Sequence, residues 1–118
     1  MKNTMKLSLT IDNIEVFLKP IKTGNDLASV SIIIGEEITI HGFRISKSQQ
    51  IHPKFQEKIW IQPPKYRLGP FYKLLVFIHR KELYSELEEK IYDKFNQMKQ
   101  RGGFDRIDED VNPDDVTL

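Results

Sequence analysis

The spacing of the apolar residues changes once along this chain of 118 residues, and that change constrains the fold more than any other feature. Up to about residue 80, apolar and polar residues mostly alternate, as in Leu27–Ile34, and a period of two is typical of a strand with one buried face. After that point the apolar residues recur every three or four positions, which is typical of an amphipathic helix. They are Leu83, Leu87, Ile91, Phe95 and Met98. The sequence therefore predicts a set of strands followed by one helix, Glu82–Arg101, which Gly102 and Gly103 end.

Turn residues divide the first part of the chain into about five strands. The alternating segments are separated by proline, glycine, asparagine and aspartate, which suit tight turns. The predicted strands are Leu7–Leu18 with a bend at Asp12 and Asn13, Leu27–Ile34, Ile38–Ile45 with a bulge near Gly42, Lys58–Gln62 and Phe71–Ile78. The last of these is the most apolar, so it is predicted to be the most buried, whereas 47–57 is predicted to be a surface loop and 65–70 a turn. We expect an α+β fold in which one helix closes an antiparallel β-meander.

Length and charge predict a single domain, 1–103, followed by an acidic flexible tail, 104–118. The net charge is +1, but the tail holds six acidic residues and Arg106, so 1–103 carries 17 basic and 11 acidic residues and a net charge of +6. The chain contains no cysteine, which excludes disulfides and thiolate metal sites. No apolar run approaches the length of a membrane span. We therefore predict a cytoplasmic protein that does not contact a membrane.

No set of residues in the sequence predicts catalysis, a bound metal or a cofactor. His41, His52 and His79 lie on different predicted elements, and none of them has a second histidine at a metal-binding spacing. No serine stands in a nucleophile elbow, and no glycine-rich phosphate loop is present. The helix carries four clustered carboxylates, which fit a solvated face better than a catalytic pair. They are Glu86, Glu88, Glu89 and Asp93. The protein is predicted not to be an enzyme.

The stretch Lys54–Lys73 interleaves cations with aromatic residues. The cations are Lys54, Lys58, Lys65, Arg67 and Lys73, and the aromatic residues are Phe55, Trp60, Tyr66, Phe71 and Tyr72. Cations can bind phosphates and aromatic rings can stack on bases, so this pattern indicates nucleic-acid binding. The alternative is that Trp60, Phe71 and Tyr72 belong to the core while the lysines are ordinary surface residues. Composition alone favours this alternative, because a net charge of +6 is not strongly basic.

Several short motifs follow one another in an order that points to one bacterial protein family. Ile40–Ile45 reads Ile-His-Gly-Phe-Arg-Ile, and Trp60–Arg67 is a strand that enters a turn with Pro63 and the basic Lys65. An aromatic-led strand and a C-terminal helix come next without a gap. Across Ile14 to Phe95, and in this order, the chain resembles the stage V sporulation protein G family, the bacterial septation regulators.

This resemblance implies a homodimer, built through its sheet, that binds DNA or RNA and regulates septation, sporulation and gene expression, with no reaction and no cofactor. Together with the stretch 54–73 it assigns phosphate contacts to Arg44, Lys58, Lys65, Arg67 and Lys73, and stacking on a base to Tyr66. A basic residue that is frequent in the family near the start of the helix is replaced here around Tyr84–Glu86, which moves the expected surface toward the cations of 65–73. The alternative is a protein-interaction module of the same fold that engages a division or regulatory protein without binding nucleic acid.

Overall fold

A four-stranded antiparallel sheet is the centre of the fold. The computed structural model describes residues 9–101. The sheet strands are β1 (Ile14–Thr23), β2 (Asp26–Ile34), β3 (Ile38–Lys47) and β4 (Ile59–Gln62). They lie in the order β1-β2-β3-β4, so each strand pairs with its neighbour in the sequence. Tight turns that place Gly24 and Gly35 at positive φ connect the first three strands. The predicted antiparallel meander is confirmed.

One face of this sheet forms the hydrophobic core together with the helix α1 (Lys81–Gln100). The bounds of the helix agree with the prediction to within one residue, and four of the five predicted apolar positions are buried. They are Leu83, Leu87, Ile91 and Phe95. They join alternating side chains of all four strands, of which Phe43 and Ile45 have no exposed surface. Among residues 9–101, no helix is both long enough and apolar enough to cross a membrane.

The other face of the sheet is not covered by α1 and is mainly polar, although Phe17 and Trp60 are exposed on it. The strand register places Ser29, Arg44 and Gln62 side by side on this outer face. Val30 and Ser31 of β2 pair with Phe43 and His41 of β3, so Gly42 is an extra residue in β3 without a partner in β2. This shift of register confirms the predicted bulge. Gly42 adopts a φ of 109°, and a Cβ atom at this position would lie 3.1 Å from Cβ of Pro64. The bulge therefore requires glycine both for its backbone conformation and for the close approach of the chain after β4.

The segment 65–78 differs most from the prediction. The predicted turn at 65–70 is confined to residues 69 and 70, and the predicted strand Phe71–Ile78 begins at Phe71 but ends at Leu74 and is exposed instead of deeply buried. Two short strands, β5 (Lys65–Leu68) and β6 (Phe71–Leu74), pair with each other and lie outside the main sheet, so the described residues hold six strands instead of five. All eight of their residues are exposed. An apolar composition predicts burial, but a segment can instead expose its apolar residues on the surface, where they mark a site of interaction.

The start of the chain also differs from the predicted strand Leu7–Leu18. Residues Ile11–Asn13 form a turn of 3₁₀ helix, in which the Asn13 side chain accepts a hydrogen bond from the backbone N–H of Thr10 at 3.2 Å. This turn replaces the predicted bend, and β1 begins only after it. Residues before Leu9 and the predicted acidic tail, 104–118, lie outside the described residues.

The predicted surface loop 47–57 packs against the helix. His52 is only 5% exposed, and its ring stacks on Phe55 with the ring centroids 4.6 Å apart. Phe55 stacks in turn on Tyr92 of α1 at 4.1 Å. Glu57 accepts hydrogen bonds from the Tyr92 hydroxyl and from Lys99 Nζ, the latter at 3.2 Å. The loop is therefore fixed to the helix by aromatic contacts and by one shared carboxylate.

Candidate nucleic-acid interface

The exposed hairpin, which consists of β5, β6 and the turn residues Gly69 and Pro70, has two different faces. In an antiparallel pair, residues directly opposite each other point to the same side, and the side alternates along each strand. The register pairs Lys65 with Leu74, Tyr66 with Lys73, Arg67 with Tyr72 and Leu68 with Phe71. One side, which we call the basic face, carries Lys65, Arg67, Tyr72 and Leu74. The other side, which we call the apolar face, carries Tyr66, Leu68, Phe71 and Lys73.

The basic face holds two cations around one exposed aromatic ring. Tyr72 is 61% exposed. Lys65 Nζ lies 5.2 Å from the centre of the Tyr72 ring, and Arg67 Cζ lies 5.9 Å from it. Arg67 Nε also donates a hydrogen bond to the carbonyl oxygen of Gly69 at 3.0 Å, which ties the guanidinium to the turn. A base can stack on such a ring while the neighbouring cations contact phosphates.

The apolar face exposes several large hydrophobic side chains to solvent. Leu68 is 52% exposed and Phe71 is 68% exposed, and these two side chains lie opposite each other beside the turn. The backbone N–H of Leu75 donates to the carbonyl oxygen of Pro64 at 2.8 Å, so the ladder continues by one pair and adds Leu75 to this face. Exposed apolar surface of this kind marks sites of association.

A chain of hydrogen bonds connects the exposed hairpin to the outer face of the main sheet. Lys65 Nζ donates to Gln62 Oε1 at 2.8 Å, and Gln62 Nε2 donates to Ser46 Oγ at 3.0 Å. Ser46 and Arg44 then both donate to the carboxylate of Asp26, each at 2.7 Å. The Arg44 side chain remains 57% exposed while that of Asp26 is 16% exposed, so the guanidinium stays accessible to a ligand.

Three of the six predicted contact residues belong to one connected surface. Lys65 and Arg67 share the basic face, and Arg44 is linked to Lys65 through the hydrogen-bond chain. Tyr66 and Lys73 point to the opposite side of the hairpin. They therefore cannot line the same surface as Lys65 and Arg67.

The remaining predicted contact residue, Lys58, lies apart from this connected surface. Conversely, the sequence analysis assigned no contact to Tyr72. Lys58 is exposed directly before β4, and within 9–101 no hydrogen bond or ion pair joins its side chain to the chain of bonds described above. Tyr72, and not Tyr66, is the ring that lies between the cations. The sequence does contain a signal for this placement. If Gly69 and Pro70 form a two-residue hairpin turn, Leu68 pairs with Phe71 and Arg67 pairs with Tyr72, which places Tyr72 on the same side as Arg67.

The histidines do not form a site. His41 Nδ1 shares a hydrogen bond of 2.7 Å with Ser31 Oγ on the outer face of the sheet. His52 Nδ1 accepts a hydrogen bond of 3.0 Å from the backbone N–H of Lys54, inside the loop that packs on α1. His79 lies edge-on to Phe77 in the segment after the hairpin. In the part of the chain that the structure describes, no three histidine, aspartate or glutamate side chains are grouped closely enough to hold a metal ion.

Glu88 corrects the prediction that the helix carboxylates form a solvated face. It lines a cavity of about 360 Å³ between α1 and the segment that follows the hairpin. Burial raises the pKa of Glu88, while Lys54 and His52, each 3.9 Å from its carboxylate, act in the opposite direction. Burial also raises the pKa of the nearby Tyr84 hydroxyl to about 12, with a further contribution from the Glu88 charge. Glu88 thus faces the packed loop instead of solvent.

Comparisons with known proteins identify no relative of this chain. No protein-family model matches it, and neither a curated protein nor a solved structure matches it. The resemblance to the septation regulators therefore depends on the short motifs of the sequence itself. What the exposed hairpin does must be inferred from its own geometry and charge.

Proposed function

We propose that this protein is a non-enzymatic regulator that acts as a homodimer and binds single-stranded DNA or RNA through the basic face of its exposed hairpin. The observation that carries the proposal is the exposed Tyr72 ring with Lys65 and Arg67 at 5.2 and 5.9 Å. In a duplex the bases are stacked on one another, so an exposed ring contacts bases most readily in a single strand. The two cations then contact the phosphates beside the stacked base.

Arg44 extends this surface from the hairpin onto the sheet. The hydrogen bonds through Gln62 and Ser46 hold Arg44 and Lys65 in one arrangement before a ligand arrives, and preorganised groups lose less entropy on binding. The ion pair with Asp26 neutralises part of the charge on Arg44. The hairpin cations therefore supply the larger part of the phosphate attraction, and Arg44 mainly directs the strand across the sheet.

The regulatory role and the homodimer depend on the resemblance to the stage V sporulation protein G family. If the resemblance reflects common descent, this protein regulates septation or sporulation by binding nucleic acid in the cytoplasm. The geometry of the basic face supports the nucleic-acid part of this role independently of the family.

Fluorescence anisotropy with a labelled oligonucleotide of about 20 nucleotides tests nucleic-acid binding. The single strand should bind more tightly than a duplex of the same sequence. Because two or three phosphates are neutralised, the affinity should fall about tenfold between about 50 and 200 mM salt. Absence of binding at low salt would show that the proposal is wrong, and equal affinity for the duplex would contradict the stacking role of Tyr72.

A matched pair of charge reversals locates the site. The double variant Lys65→Glu/Arg67→Glu should bind at least tenfold more weakly than the wild type, since it replaces both hairpin cations. The control Lys22→Glu/Lys94→Glu changes the net charge by the same amount at exposed positions on β1 and α1. It should weaken binding only slightly. Equal losses in the two variants would mean that binding is unspecific electrostatic attraction and does not involve the basic face.

The second candidate function is a protein-interaction module that engages a division or regulatory protein. It is favoured by the exposed apolar face of the hairpin, which is the kind of surface that protein partners cover. A pull-down from nuclease-treated extract distinguishes the two functions. Recovery of one specific protein, combined with no oligonucleotide binding in the anisotropy experiment, would favour the interaction module.

A further inference from the structure

We propose that the apolar face of the exposed hairpin is the surface through which two copies of this chain associate, with the two hairpins packed face to face and antiparallel. The inference rests on the homodimer of the proposed function. It does not depend on nucleic-acid binding, because that function uses the opposite face of the hairpin. The two proposals can therefore fail separately.

The exposed hairpin needs a covering surface that the described part of the chain does not supply. A two-stranded hairpin is at best marginally stable in water without further packing. Within 9–101, β5 and β6 pair only with each other, and all eight of their residues are exposed. A second surface that packs on the hairpin would supply the stabilisation that two isolated strands lack.

The area of the apolar face is sufficient for a specific dimer. Its four large apolar side chains are between 41% and 68% exposed, and they are Tyr66, Leu68, Phe71 and Leu75. Since a large side chain can bury roughly 200 Å², these four offer on the order of 500 Å². Two copies would then bury on the order of 1,000 Å², which is the lower limit of a specific interface.

The position of Lys73 favours a second copy in the antiparallel arrangement. Lys73 lies opposite Tyr66 at the base of the apolar face, and Phe71 lies at its tip. When two hairpins pack antiparallel, the tip of each lies against the base of the other, so Lys73 of one copy meets the Phe71 ring of the second copy. An ammonium group over an aromatic ring is favourable. A parallel arrangement would instead place both Lys73 side chains at the same end of the interface, and like charges repel.

This arrangement reassigns two of the predicted nucleic-acid contacts. Tyr66 and Lys73 become interface residues, and Lys65, Arg67 and Tyr72 remain on the surface that faces away from the second copy. The dimer then presents two basic faces on opposite outer sides. Each of them is accessible to its own strand of nucleic acid.

Neighbouring substitutions on the two faces test the interface by sedimentation equilibrium of the full chain. Phe71→Glu and Tyr72→Glu change adjacent residues of similar exposure, 68% and 61%, that point to opposite sides. The wild type should be a dimer. Phe71→Glu should weaken the dimer at least about 30-fold, as expected for an aromatic anchor residue of an interface, whereas Tyr72→Glu should leave it unchanged. Leu68→Glu serves as a second apolar-face variant, and circular dichroism checks that each variant is folded.

The possible outcomes separate the inference from the function. A monomeric wild type would overturn both the homodimer and its interface, while the anisotropy experiment still decides nucleic-acid binding. A wild-type dimer that survives both Phe71→Glu and Leu68→Glu would keep the homodimer and overturn this interface. Equal dissociation of the dimer by Phe71→Glu and by Tyr72→Glu would also overturn the assignment of the interface to the apolar face.

Disulfide cross-linking tests the antiparallel geometry, because the natural chain has no cysteine. A mixture of the single variants Leu68→Cys and Tyr66→Cys should form a covalent heterodimer under mild oxidation, since tip and base residues of β5 face each other across the antiparallel pair. A mixture of Leu68→Cys and Phe71→Cys joins two tip residues and should not cross-link. Cross-linking in the second mixture alone would contradict the antiparallel arrangement.

Discussion

At the scale of single residues, Tyr72 is the side chain on which the proposed binding of nucleic acid depends most. Its ring is largely exposed, although two cations lie within 6 Å of its centre. A tyrosine so exposed contributes little to the hydrophobic core, so selection for packing does not explain its position. The ring is instead placed where a planar ligand can stack on it.

Replacing Tyr72 should therefore affect ligand binding more than folding. Tyr72→Ala should weaken binding of a single-stranded oligonucleotide about 5- to 150-fold, because stacking on one base contributes about 1–3 kcal/mol. Tyr72→Phe keeps the ring and should bind within about twofold of the wild type. Anisotropy titrations measure both effects. Wild-type affinity in Tyr72→Ala would exclude stacking on this ring.

Gly42 is a residue-scale determinant of the sheet. Its φ of 109° is strained for any residue with a Cβ atom, and that atom would lie 3.1 Å from Pro64. We expect Gly42→Ala to lower the free energy of unfolding by about 1–3 kcal/mol. Gly24→Ala is the control, because Gly24 also has positive φ but no atom within 4 Å of the added Cβ. Chemical denaturation should show the larger loss for Gly42→Ala, and equal losses would mean that the contact with Pro64 is unimportant.

At the scale of elements, the contact between the loop 47–57 and α1 contains two glutamates with opposite pKa shifts. The hydrogen bond from Tyr92 lowers the pKa of Glu57, assisted by Lys99 and opposed by burial. Burial raises the pKa of Glu88 despite the nearby Lys54 and His52. Ionised Glu57 therefore stabilises the folded chain above the ordinary glutamate pKa, and this contribution is lost as the pH falls. Ionised Glu88 costs stability, and this cost appears as the pH rises through its elevated pKa.

The two glutamates should respond oppositely to removal of their charge. At pH 7, Glu88→Gln should raise the melting temperature, because the amide no longer carries the buried charge. Glu57→Gln should lower it. Below the ordinary glutamate pKa of about 4.3, both carboxyls approach the neutral state and both differences should shrink. Thermal unfolding followed from pH 3 to 8 measures these trends, and a Glu88→Gln variant less stable than wild type at pH 7 would contradict the burial argument.

Elements with a clear period could be predicted from the sequence, and the exposed hairpin could not. The apolar residues of α1 repeat at helical spacing, and glycine marks the bulge at Gly42, so both features follow from local chemistry. In 71–78 the apolar run has no clear period, so the spacing of its residues does not indicate which of them are buried. The side of the hairpin that Tyr66 occupies, opposite to Lys65 and Arg67, could not be predicted either, since it depends on a turn at Gly69 and Pro70 that the composition did not reveal.

At the scale of the whole molecule, charge is distributed unevenly along the chain. The tail 104–118 carries a net charge of −5, and the rest of the chain carries +6. An acidic segment of the same chain competes with phosphates for cations at a high effective concentration. A chain that ends at Gly103 should therefore bind single-stranded oligonucleotides severalfold more tightly at low salt. Unchanged affinity in anisotropy titrations would mean that the tail does not compete.

We propose two different partners for the two faces of the exposed hairpin. Heteronuclear NMR of the isotope-labelled full chain, titrated with a single-stranded oligonucleotide, tests the basic face most directly. The largest amide shift changes should occur at Lys65, Arg67 and Tyr72, with smaller changes at Gln62 and Arg44. Shift changes that leave the exposed hairpin unaffected, or that concentrate on the solvent side of α1, would contradict the assignment of nucleic-acid binding to this face.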